Sequence, residues 1–154
     1  MAGSLFTSAT GRALVLDGAM GSTLQCMELD IERDYLGHEN CVDLLVRSRP
    51  ELVQAIHETF LAAGSDAVET NTFGANTLVL SEFDDEVASW TRALNREAAE
   101  VARAACDAHA TADQPRYVLG SMGPGTRLIT LGQTTWPEML ESYAEQARGL
   151  LVGQ

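Results

Sequence analysis

Asp17 stands directly after the apolar run Ala13-Leu14-Val15-Leu16 and is followed by Gly18-Ala19-Met20-Gly21. A carboxylate placed there can pair with a ligand ammonium while the backbone N–H groups of the turn hold a carboxylate, the grip that an amino-acid head group requires. It can equally cap the turn. A second polar tip, Glu69-Thr70-Asn71-Thr72-Phe73-Gly74, offers hydroxyls and an amide that can orient a ligand or satisfy loop backbone. A third, Ser121-Met122-Gly123-Pro124-Gly125, has the same glycine-rich character, and Met20 and Met122 fit either packing or the lining of an apolar substrate stem.

Other combinations carry less chemistry. The turns after the first and third apolar runs read Gly18-x-x-Gly21 and Gly120-x-x-Gly123-x-Gly125, and neither is the dinucleotide fingerprint. Ser121 has Leu119 two residues before it and no histidine after it, which sets aside a serine hydrolase. His57 sits beside Ile56 on the edge of an amphipathic helix, and Cys106 and His109 lie three apart near a helix end where a small hydrophobe and an imidazole are commonplace, so they are not read as metal ligands. All ten basic residues are Arg, which removes a P-loop lysine, a Schiff-base lysine and any amine general base.

Composition bounds the rest. At 154 residues, 45% hydrophobic and 21% charged, the chain suits one globular domain spanning 1–154 with a single core. A net charge of −12 repels phosphate backbones and anionic membranes, so neither nucleic acid nor a membrane surface is an expected partner. The first dozen residues lack a basic leader, no apolar run approaches the ~18 residues of a membrane span, and three unpatterned cysteines argue for reduced thiols. A cytoplasmic location is expected.

The elements that must position the three tips follow from periodicity. A buried strand is expected at 13–16, then a surface excursion over 25–46 with a helical turn at 41–46. Ser48-Arg49-Pro50-Glu51 predicts a capped helix with Leu52, Val53, Ile56, Phe60 and Ala63 on its inner face and Gly64 as its stop. A second strand at 66–70, one helix over about 85–109, a third strand at 116–120 and a helix capped by Thr135 and Glu138 complete the pattern, the last with Leu140, Tyr143, Ala147 and Leu150 on one side. The order β-α-β-α-β-α predicts an α/β fold with parallel strands, and ligands in such folds bind at the carboxyl ends of the strands, so the three tips should converge. A closed (β/α)8 barrel takes ~250 residues, so three units would form only part of one.

The motifs Leu16-Asp17-Gly18-Ala19-Met20-Gly21, Glu69-Thr70-Asn71-Thr72-Phe73-Gly74 and Gly120-Ser121-Met122-Gly123-Pro124 occur in order, with Ala55-Ile56-His57 and Ala63-Gly64-Ser65-Asp66 between them. Together they resemble the homocysteine S-methyltransferase family from about residue 13 to 154, and most closely the amino-terminal module of its cobalamin-dependent, methionine-forming members. The resemblance implies the first three βα units of a zinc-dependent TIM barrel that binds homocysteine as thiolate and takes a methyl group from methylcobalamin on another module. It implies Asp17 at the substrate ammonium, Gly18, Ala19 and Met20 at its carboxylate, and Asn71, Thr72, Phe73, Gly123 and Pro124 lining the pocket.

It also implies three zinc-binding cysteines on later strands, beyond Gln154. Cys26, Cys41 and Cys106 do not match them. The remaining half of the barrel and the cobalamin and folate modules are the implied partners. The expectation for the isolated chain is therefore negligible turnover, poor solubility and self-association. The alternative is a catalytically inactive barrel fragment acting, if at all, as a binding or interaction module.

Overall fold

In the computed structural model, which describes residues 11–153, two of the three expected strands form a parallel pair, β1 (Ala67–Glu69) and β2 (Tyr117–Leu119), in the register Ala67↔Tyr117 to Glu69↔Leu119. Residues 1–10 of the polar start, and Gln154, lie outside the described residues. The first expected strand is reduced to one parallel bridge, Leu16↔Ala67. Asp66 N–H donates to the Val15 carbonyl at 2.7 Å and Asp17 N–H to the Ala67 carbonyl at 3.1 Å. Spatial order follows chain order, and all three segments run the same way.

This first segment was expected to be buried, and it is not: Val15 is 56% and Leu16 44% exposed. It has a hydrogen-bonded neighbour on one side only, among the described residues. Arg12 holds it in place through two bonds to Asp66, at 2.9 and 2.7 Å, and Asp66 also accepts from Val15 N–H. The Arg12 guanidinium keeps the Asp66 carboxyl below the usual carboxylate range.

The helices are α1 (Met20–Gln25), α2 (Leu45–Ser48), α3 (Pro50–Ala63), α4 (Thr77–Leu80), α5 (Asp85–Ser89), α6 (Thr91–His109) and α7 (Trp136–Val152). Gly64 stops α3 with φ 111°, as its freedom from a Cβ permits. At its start the expected cap fails. Arg49 occupies the cap position, while the Ser48 hydroxyl donates instead to the carbonyls of Asp34 and Leu44. Glu51 pairs with Arg49 at 2.6 Å.

Three further expectations need correction. The long helix over 85–109 breaks at Trp90 into α5 and α6, where the Thr91 hydroxyl donates back to the Ala88 carbonyl. The excursion over 25–46 is not confined to the surface, because Cys41, Leu44, Leu45 and Val46 join Leu24, Val53, Ile56, Leu80, Leu94 and Ala98 in the larger core cluster. Helix α7 buries Leu150 as expected but sets Ser142, Gln146 and Gly149 beside it in the interior, while Tyr143 and Ala147 are half-buried and Leu140 is 71% exposed. The reason is a close approach of backbones, since a Cβ on Gly149 would collide with the Arg92 carbonyl of α6. No helix among the described residues is long and apolar enough to cross a membrane.

Candidate substrate site

The three tips converge. Asp17, Gly18, Ala19, Met20 and Gly21 from the first, Glu69 to Phe73 from the second and Ser121 from the third line one cavity of about 310 Å³, with Val42 closing it from the excursion. That volume lies at the small end of the ~300–1,000 Å³ of ligand pockets and suits a small amino acid. Gly123 reaches the site by donating its N–H to the Phe73 carbonyl at 3.0 Å. Pro124 is exposed and does not line this cavity.

Asp17 is the recessed charge of the site. Its side chain is 4% exposed, its Oδ1 accepts the Glu69 N–H at 2.8 Å, and its Oδ2 lies 3.5 Å from His57 Nδ1. Among the described residues no arginine pairs with it. Ala19, next but one, holds left-handed backbone with φ 55°, an arrangement that costs an L-residue about 1–2 kcal/mol and that turns the chain from Asp17 into α1.

The polar side chains of the second tip are engaged by the fold. Asn71 Nδ2 donates to the Val42 carbonyl at 2.8 Å and the Thr72 hydroxyl to the Ser121 carbonyl at 2.8 Å. Both residues line the cavity, yet these groups satisfy loop backbone. From α7, Gln146 Nε2 donates to the Thr72 carbonyl at 2.7 Å, and the Tyr143 hydroxyl to the Gly123 carbonyl at 2.7 Å. Asp43 Oδ1 takes the Gly74 N–H at 3.1 Å, and burial pushes the Asp43 carboxyl up to about 6. Phe73 stays 65% exposed at the rim.

Reading the sequence missed His57, Asp43, Val42 and Gln146. For His57 a signal existed: Val53, His57 and Leu61 recur every fourth residue on α3, and all three are buried. Asp43, Val42 and Gln146 carry no local mark of their role, because each acts on a group remote in sequence: the Gly74 N–H, the Asn71 amide and the Thr72 carbonyl.

The cysteines do not fit a zinc site. Burial pushes the Cys41 thiol up to about 12 and the Cys106 thiol up to about 11, while Cys26 is exposed. Among the described residues no group of three or more His, Cys, Asp or Glu could hold a metal ion.

A parallel α/β sheet thus gathers a recessed carboxylate, glycine-rich turns and an aromatic rim around one cavity at its strand ends. The sequence profile of the homocysteine S-methyltransferase family matches residues 14–154, and the chain belongs to that family. It is 44% identical over 142 residues to methionine synthase of Mycobacterium tuberculosis, and equally to that of Mycobacterium leprae. The match covers 92% of this chain but 12% of the length of those relatives. Among solved structures, the homocysteine methyltransferase MmuM of Escherichia coli superposes with TM-scores of 0.69 in its metallated form and 0.67 in its oxidized form. Those alignments cover 93% and 91% of this chain and 51% and 49% of the neighbour. At 20% identity the likeness is one of fold.

Proposed function

We propose that this chain holds homocysteine for methyl transfer to its sulfur, as the first βα units of a (β/α)8 barrel of the methionine synthase type. The observation that carries the reading is Asp17: a carboxylate 4% exposed, lining the cavity, held by one backbone N–H and paired with no arginine among the described residues. A recessed carboxylate without a strong cation is stabilised by one, and the homocysteine ammonium supplies it. The turn at Gly18, Ala19 and Met20 then faces the substrate carboxylate, and Asn71, Thr72 and Phe73 line the remaining wall, with Gly123 behind Phe73.

Zinc, implied by the family, would deprotonate the homocysteine thiol, since the thiolate is the nucleophile. The donors described in this chain do not fit it, so its ligands belong to other parts of the barrel, and methylcobalamin on another module is the proposed methyl donor. The chain's own residues bind and orient the amino-acid end.

The test is a titration of L-homocysteine into the isotope-labelled chain. The amides of Gly18 to Gly21 and of Asn71 to Phe73 shift together if the reading holds. Shifts confined to other surfaces, or none, reject it. Mixed with homocysteine and methylcobalamin, the 154-residue chain is expected to form no methionine, and turnover would refute the assignment of the zinc ligands to parts beyond it.

A further inference from the structure

We propose that His57 is a positioning residue for Asp17, presenting Nδ1–H of a neutral imidazole to Oδ2. This rests on the reading of Asp17 as the ammonium ligand. His57 occupies the centre of the inward stripe of α3, between Val53 and Leu61, and is fully buried. Among the described residues neither ring nitrogen has a hydrogen-bond partner, a burden of about 1–3 kcal/mol per group that a leucine in the same stripe would not impose. The carboxylate that faces the ring is Asp17, with Oδ2 at 3.5 Å from Nδ1.

The two clamps on Asp17 are complementary. Glu69 N–H fixes Oδ1 from the neighbouring strand, and His57 faces Oδ2 from the helix beneath. A carboxylate offers about four lone-pair sites, so a donor at each oxygen leaves room for a ligand ammonium. An imidazolium would neutralise Asp17 and bury an Nε2–H with no acceptor, because none of the described residues partners Nε2. The neutral Nδ1–H tautomer orients the carboxylate and leaves its charge for the substrate. The contact is long, and a tightening of about 0.3–0.5 Å would bring it within hydrogen-bond range, as happens when catalytic contacts close on substrate.

Long-range proton–nitrogen correlation spectra of the 154-residue chain near neutral pH read the tautomer without any ligand. Protonated Nδ1 and bare Nε2 are expected, and the Nε2–H tautomer or an imidazolium overturns the inference. Substitution gives a second readout. His57→Asn keeps an amide donor near the position of Nδ1 and His57→Leu keeps only the volume, so the Leu variant should lose about tenfold in homocysteine affinity while the Asn variant stays within about threefold of the parent. Equal losses in two folded variants would assign His57 to packing alone. A parent chain that binds no homocysteine but shows the Nδ1–H tautomer would refute the proposed function and leave the His57–Asp17 arrangement standing.

Discussion

The Glu69 backbone N–H donates to Asp17 Oδ1 at 2.8 Å, joining residues 52 positions apart. The bond fixes the carboxylate at the end of the first segment to the end of β1, so the sheet itself sets where Asp17 lies. The second tip is then held from three sides, by Val42 of the excursion, Ser121 of the third tip and Gln146 of α7.

Gly123→Ala tests the contact between the second and third tips. An added Cβ would lie 2.5 Å from the Phe73 carbonyl oxygen and 2.8 Å from its ring, and a backbone atom cannot move away cheaply. A destabilisation of about 1–3 kcal/mol in urea unfolding is expected, with weaker homocysteine binding. Unchanged stability and affinity would contradict the packing described.

Ala19→Gly removes the cost of a left-handed alanine and adds the entropy cost of glycine. The net expectation is a gain of about 0.5–1 kcal/mol in stability, seen as a higher urea midpoint at constant slope. Homocysteine affinity should fall by a few-fold as the turn loses its preset shape. A lower midpoint would show that the turn relaxes elsewhere.

Asp43→Asn tests the buried carboxyl behind Gly74. With its native value raised to about 6, the group contributes stability that is fully present below roughly pH 4 and lost as pH rises through about 6. Asparagine keeps an acceptor for the Gly74 N–H and cannot ionise. The variant should match the parent near pH 4 and exceed it near pH 8 by on the order of 2–3 kcal/mol. A difference that does not change between the two pH values would contradict this.

The apolar surface of α7 predicts self-association of the isolated chain. Trp136, Leu140, Leu151 and Val152 are 73%, 71%, 72% and 70% exposed, more than scattered surface residues require. Light scattering after size exclusion should report species above the 16.5 kDa monomer, despite the net charge of −12. A monodisperse monomer that melts cooperatively is the opposing result.

Sequence reading succeeded where the signal was local. The Thr135–Glu138 capping box forms as its spacing implied, with Thr135 N–H donating to Glu138 at 2.8 Å, and Gly64 ends α3 in left-handed backbone. The second and third strands fall where the apolar runs placed them, and the glycine tips meet as parallel topology requires. It failed where distant groups decided. Ser48 has every local mark of a helix cap, but the Asp34 carbonyl takes its hydroxyl. The apolar periodicity of α7 named Leu140, whereas Gly149 lets α7 approach α6 so closely that small and polar residues face inward. His57 reads as an edge residue beside Ile56, whereas its fourfold spacing from Val53 and Leu61 puts it on the buried stripe of α3, where it faces Asp17.

The most direct test of the central claim pairs Asp17→Asn with two ligands, L-homocysteine and 4-mercaptobutanoate, which lacks the amine. Calorimetric titration should show homocysteine affinity falling about tenfold or more in the variant while the weaker binding of 4-mercaptobutanoate stays level. Equal losses for both ligands, or homocysteine affinity untouched, would contradict the assignment of Asp17 to the substrate ammonium.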